Sequence, residues 1–244
     1  MTVSIAITGK SGNGKTTFVK ALANVLKSIH PQKTVLLVDT DVTNELSWAY
    51  GVNAENKISD LLIGSYKAKL PQDISAHELA AWAINDILIE IKPGLDLLVY
   101  GYNPKRECKC YLANAICSEV TKTTQDYDYV IFDCEYNVGL LNKLVDTPID
   151  TTLIITDTTA VSLYLASKIK EKSIKYACPG QIGIILNKVK NFSEETRKIL
   201  SDYELNILGH IPYDPILEEN SVSKNSELIE TRMKELLFRL NIPF

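Results

Sequence analysis

The sequence predicts an α/β fold, a mostly parallel twisted sheet with helices on both faces. Three observations carry this expectation. Short apolar runs rich in β-branched residues recur along the chain. Longer stretches with apolar residues at helical spacing lie between them. The first run also leads through a glycine-rich turn directly into a helical pattern.

That first unit organises the rest. Val3-Ser4-Ile5-Ala6-Ile7-Thr8 reads as a buried strand. Gly9-Lys10-Ser11-Gly12-Asn13-Gly14-Lys15-Thr16-Thr17 follows and fits G-x-x-x-x-G-K-[ST], the phosphate-binding loop of P-loop NTPases. Phe18, Leu22, Val25, Leu26 and Ile29 then recur at helical spacing until His30-Pro31 stops the pattern. The glycines let backbone N–H groups close around phosphate oxygens, and the helix dipole adds its positive end. Lys15 is expected to reach the β- and γ-phosphates of ATP, and the Thr16 hydroxyl to ligate Mg²⁺.

Thr34 to Val38 forms a second buried strand, ending in Asp39-Thr40-Asp41, where carboxylates meet ligands in open α/β sheets. Residues from Val42 to Ile91 read as mainly helical, with a stop at Gly51, another at Gly64, and a packing stripe of Leu79, Trp82, Ala83 and Leu88. Leu95 to Tyr100 is a third strand, and a helix is expected from about Tyr111 to Thr123. Tyr129 to Asp133 is a fourth strand, with Asp133 in the Walker B position close to Mg²⁺ and the γ-phosphate. Further strands are read at 152–156, 182–186 and 205–209, with a helix from Ala160 to Ser173 between the first two. Leu228, Met233, Leu236, Leu237 and Leu240 mark a closing amphipathic helix of mixed charge, expected to dock on the core.

The 244 residues suit one domain spanning 1–244, and 45% hydrophobic content supports a sizeable core. A net charge of -4 does not favour nucleic acid or an anionic membrane as a partner. No signal peptide is legible, and no apolar run approaches the ~20 residues that span a bilayer. A cytoplasmic location is expected. An odd count of five cysteines argues against a disulfide framework, and Cys117, Cys134 and Cys178 fall where buried thiols are ordinary.

Lys10 sharpens the loop. The G-K-x-G-x-G-K-T-T pattern resembles the deviant Walker A family, which includes the MinD and ParA ATPases, the arsenite-pump ATPase and the nitrogenase iron protein. The usual G-K-G-G-V-G-K-T-T is varied here by Ser11 and Asn13. The resemblance implies that Lys10 crosses a nucleotide-dependent homodimer to the partner's phosphates. It also places Asp41 in the first switch, orienting the attacking water or a Mg²⁺-bound water, with Asp39 supporting from behind. Asp133 begins the second switch, where this chain has one glycine, Gly139, in place of the several common in the family. The Asn187-Lys188 pair and the Ile211-Pro212-Tyr213-Asp214 segment are implied to hold or pack near the adenine base.

Cys108-Lys109-Cys110 supplies two thiolates, half of the four donors that tetrahedral Zn²⁺ or square-planar Ni²⁺ wants. A two-fold dimer would bring in the other half. With Ala113-Asn114-Ala115 behind it, the pair resembles the CooC-type ATPases that insert nickel into carbon monoxide dehydrogenase, although Tyr111 stands where those have proline. The resemblance implies an ATP-dependent metallochaperone whose closing assembles the metal site and whose client is a metalloenzyme of that type. Three alternatives stay open. One is a partitioning or positioning ATPase switching on DNA or membrane. Another is a redox thiol pair activated by Lys105 and Arg106. The last is a [4Fe–4S] partner, with Cys134 as a second contributor.

Overall fold

The computed structural model describes residues 2–63, 65–67, 69, 71–101, 111–135, 144–176 and 178–213, with the single positions 215 and 234. In chain order the elements are β1 (Val3–Gly9), α1 (Lys15–Ile29), β2 (Val35–Asp39), α2 (Glu45–Tyr50), α3 (Ile58–Ile63), α4 (Ala76–Ile87), β3 (Ile89–Lys92) and β4 (Leu95–Val99). They continue as α5 (Tyr111–Gln125), β5 (Tyr129–Asp133), β6 (Thr151–Thr156), α6 (Ala160–Tyr176), β7 (Gln181–Val189), α7 (Glu194–Asp202) and β8 (Ile207–Pro212). One sheet holds all these strands in the order β3-β4-β2-β5-β1-β6-β7-β8. Only β3 runs antiparallel to its neighbour.

Alternate side chains of each inner strand go to opposite faces. Ile5, Ile7, Leu37, Ile131, Leu153 and Ile155 share one cluster with Phe18, Leu22, Val25 and Leu26 of α1. Ala6, Leu36, Val38, Val130 and Phe132 pack instead with Ala83 and Ile84 of α4 and Ile116 and Val120 of α5. Ile154, Ile184 and Leu186 meet Leu163, Ala166 and Ile169 of α6 and Leu200 of α7. Strands covered on both faces have no polar side to show, which is why they read as unbroken apolar runs.

The structure corrects the sequence reading at four places. The end of the stretch read as helical is β3, whose Ile89-Glu90-Ile91-Lys92 alternates half-buried and exposed side chains. Pairing with β4 across the Pro93-Gly94 turn decides it, and Glu90 and Lys92 put charge on the sheet's edge. Helix α7 was not legible because only Thr196 and Leu200 are buried, although Ser193 caps it and two glutamates fill its first turn. Strand β7 runs on past Leu186 through Asn187 and Lys188, and β8 starts at Ile207 and reaches Pro212. In α4 the fully buried stripe is Ala80, Ala83, Ile84 and Ile87, with Leu79 and Trp82 only partly covered. The expected closing helix lies outside the described residues.

The parallel strands place their carboxyl ends on one edge of the sheet. Strand β1 lies between β5 and β6, so the chain crosses to one side of it early and to the other side later. Ligands enter open α/β sheets at such a reversal.

Candidate functional site

The loop between β1 and α1 is built by close approach. Gly9 lies beside Ile155 of β6, with φ at +146°, and a Cβ there would come within 2.1 Å of the Ile155 carbonyl oxygen. Only glycine fits. Gly14 is the N-cap of α1 in the left-handed region, with φ at 82°, and no side chain caps that end. The helix therefore presents its first-turn N–H groups to whatever lies beyond it.

Two functional groups stand on that first turn. Lys15 is buried, and its charge acts on the Asp133 carboxylate at the tip of β5. Thr16 donates its hydroxyl to Asp133 Oδ2 at 2.8 Å and lies 3.3 Å from Glu45 Oε2 at the start of α2. One hydroxyl hydrogen cannot serve both carboxylates fully, and the shorter contact is to Asp133. The other oxygen of Asp133, Oδ1, is buried with no hydrogen-bond partner among the described residues.

Around this pair the chain concentrates negative charge. Asp39 is wholly buried, and its Oδ1 and Oδ2 accept the backbone N–H groups of Asp41 and Leu46 at 2.9 and 3.2 Å. Burial first, then the charge of Asp133, pushes Asp39 up to about 7. Burial pushes Asp133 up to about 6, against the lowering effects of Thr16 and Lys15. Glu135 is raised by burial and by Asp41. Thr40 fastens the ends of β2 and β5, giving both its N–H and its hydroxyl to the Asp133 carbonyl at 3.0 and 2.9 Å. The Oδ1 of Asp41 is held by the Thr43 N–H and hydroxyl at 2.9 and 2.7 Å.

Five carboxylates with one buried lysine leave a negative excess that a divalent cation would balance. The donors fit Mg²⁺, which takes one or two protein oxygens plus phosphates and water in preference to an all-protein cage. No three histidine, cysteine or acidic side chains converge to hold a metal alone among the described residues.

The remaining predicted residues distribute unevenly. Lys10 and Ser11 are exposed and Gly12 sits at the loop's outer turn, while Asn13 is buried and points its amide at the Ile155 carbonyl, 3.4 Å away. Thr17 lies half-buried in α1. Asn187 joins the loop, donating to the Asn13 carbonyl at 2.7 Å. Pro212 ends β8 opposite Val189. Cys108 and Cys110 lie outside the described residues. Cys134 is wholly buried, its N–H donating to the Ile7 carbonyl and its thiol pushed up to about 12 by burial. Cys178 is exposed, contrary to the expectation of a buried thiol. Sequence reading missed Thr40, Glu45 and Glu135. Glu45 carried one signal, a carboxylate four residues past Asp41 at the start of a helix.

Residues 4–227 match the CbiA family, described as the CobQ/CobB/MinD/ParA nucleotide binding domain. The chain belongs to this family. Over 224 residues, 88% of this chain and 86% of the relative, it is 28% identical to an uncharacterised ATP-binding protein of Methanocaldococcus jannaschii. Among solved structures it resembles the septum site-determining protein MinD of Pyrococcus horikoshii in complex with Mg-ADP. That likeness has a TM-score of 0.69 at 20% identity, covering 99% of this chain and 97% of that one. A ParA family ATPase from Chlorobium tepidum gives 0.69 at 18% identity, covering 98% and 96%. The family supplies the nucleotide-binding fold around a loop whose geometry already points to phosphate.

Proposed function

We propose that this chain is a Mg²⁺-dependent ATPase, one domain over residues 1–244, in which ATP closes two copies face to face and hydrolysis releases them. The observation that carries the reading is Thr16 bonded to Asp133, with buried Lys15 alongside and Asp133 Oδ1 unpartnered among the described residues. Lys15 and the N–H groups of residues 11–17 would hold the phosphates. Thr16 would ligate Mg²⁺, with Asp133 behind it, and the ion would supply positive charge to the bound phosphates. Asp41, fixed by Thr43, would orient the attacking water, and Asp39 holds the loop that carries it. Exposed Lys10 would reach the phosphates of the facing copy. ATP turnover should fall at least about a hundredfold in Lys15→Ala and Thr16→Ala. Unchanged turnover in both variants would sink the assignment.

For the output of the switch we propose delivery of a soft metal as cargo. Cys108 and Cys110 of two copies would complete a four-thiolate site for Ni²⁺ or Zn²⁺, serving a cytoplasmic client of the carbon monoxide dehydrogenase type. The test is a metal titration with and without a non-hydrolysable ATP analogue. One metal per dimer is expected only with the analogue, and none when both cysteines are serine. Binding that ignores the cysteines removes the proposal. The ParA and MinD neighbours favour a second reading, a nucleotide switch on DNA or membrane. It predicts ATP-dependent co-sedimentation with duplex DNA or anionic vesicles and no requirement for the cysteines.

A further inference from the structure

Asn187 is placed by a defect in the sheet. The pairing of β7 with β8 shifts register between Leu186 and Val189, and Lys188 within that interval has φ at 55°. A bulge of this kind re-aims a side chain. Here it turns Asn187 toward β1 across the end of β6. The Nδ2 group donates to the Asn13 carbonyl at 2.7 Å, and Oδ1 accepts the Lys188 N–H at 2.9 Å. Two opposed bonds fix the amide plane.

The loop meets this strut on two sides. A Cβ on Gly14 would stand 2.7 Å from Asn187 Nδ2, so the residue packs directly against the turn that opens α1. Asn13, 4% exposed, directs its own amide toward the Ile155 carbonyl 3.4 Å away, the atom that also crowds Gly9. Loop, β6 and β7 are thereby joined through two asparagines. One carbonyl of the phosphate loop is held in place, and the N–H groups that follow it in sequence are aimed by the same peptide.

We propose that Asn187 is a positioning residue for the phosphate loop, acting through the Asn13 carbonyl, so that its removal weakens the grip on phosphates themselves. This rests on the nucleotide-binding reading above. A residue that only reads a base would leave a base-free ligand untouched.

The experiment uses the full chain with Mg²⁺ and two probes, ATP and inorganic tripolyphosphate, measured by calorimetry on wild type, Asn187→Ala and Asn187→Leu. Leucine keeps the volume and loses the bond. Both variants should bind tripolyphosphate about tenfold more weakly, the worth of one such hydrogen bond. Thermal melting reports on folding, and hydrogen exchange should quicken in the peptide spanning 9–17 while β4 and β5 stay protected. Loss of ATP affinity with tripolyphosphate affinity unchanged makes Asn187 a base reader and overturns the proposal. Loop exchange equal to wild type in both variants also overturns it, even where a variant melts early. Wild type that binds neither probe defeats the nucleotide reading instead, a result separable because it needs no variant.

Discussion

The Thr16 hydroxyl is the smallest part on which the site turns. It links the first turn of α1 to the tip of β5, and its second neighbour, Glu45, ties in α2. Asp39 and Asp133 beside it hold protons above the ordinary carboxylate range, and this has a consequence for stability. Asp39 ionises near 4 when unfolded but near 7 in the fold, so between those values the folded chain keeps a proton the unfolded chain has lost. Its contribution therefore declines as pH rises from about 4 to 7. Asn at this position cannot titrate, but it loses one of the two backbone bonds. Melting of ligand-free Asp39→Asn should be lower than wild type near pH 5 and should fall less on going to pH 7. A wild-type slope in the variant contradicts the assignment. Gly9 gives a second test at this scale. Alanine there meets the Ile155 carbonyl at 2.1 Å with a disfavoured φ, and should cost about 3 kcal/mol or prevent folding. Chemical denaturation measures it, and a loss below about 1 kcal/mol counts against the described packing.

Among elements, α4 shows how local sequence secures a boundary. Ser75 and Glu78 form a reciprocal capping box, Ser75 N–H donating to Glu78 Oε2 at 2.8 Å and Glu78 N–H to Ser75 Oγ at 3.2 Å. Ser75→Ala should destabilise by about 1 kcal/mol in urea titration. No change would mean the helix does not depend on its cap. The inner strands and the phosphate loop were legible because each states its own requirement locally, as an apolar run or as glycines at fixed spacing. β3 was not, since four alternating residues after a helix carry too short a pattern to outweigh the helix before them. Nor was the bulge at Asn187 and Lys188, which appears only when β7 meets β8. Asp133 and Lys15 could be placed from the motif. Thr40 and Glu45 could not, because their partners are 93 and 29 residues away.

At the scale of the whole molecule, the sheet sets one edge against solvent with Lys10 exposed on the loop and Asp39, Asp41 and Asp133 buried behind it. Such an arrangement suits closure by a second copy, because an isologous face offers each site a lysine from the other. The deciding measurement is sedimentation velocity of the Mg²⁺-containing protein with a non-hydrolysable ATP analogue, for wild type and Lys10→Ala. Wild type should double in mass on adding the analogue, while Lys10→Ala should bind it and stay single. Analogue-saturated wild type that sediments as one chain would contradict the account.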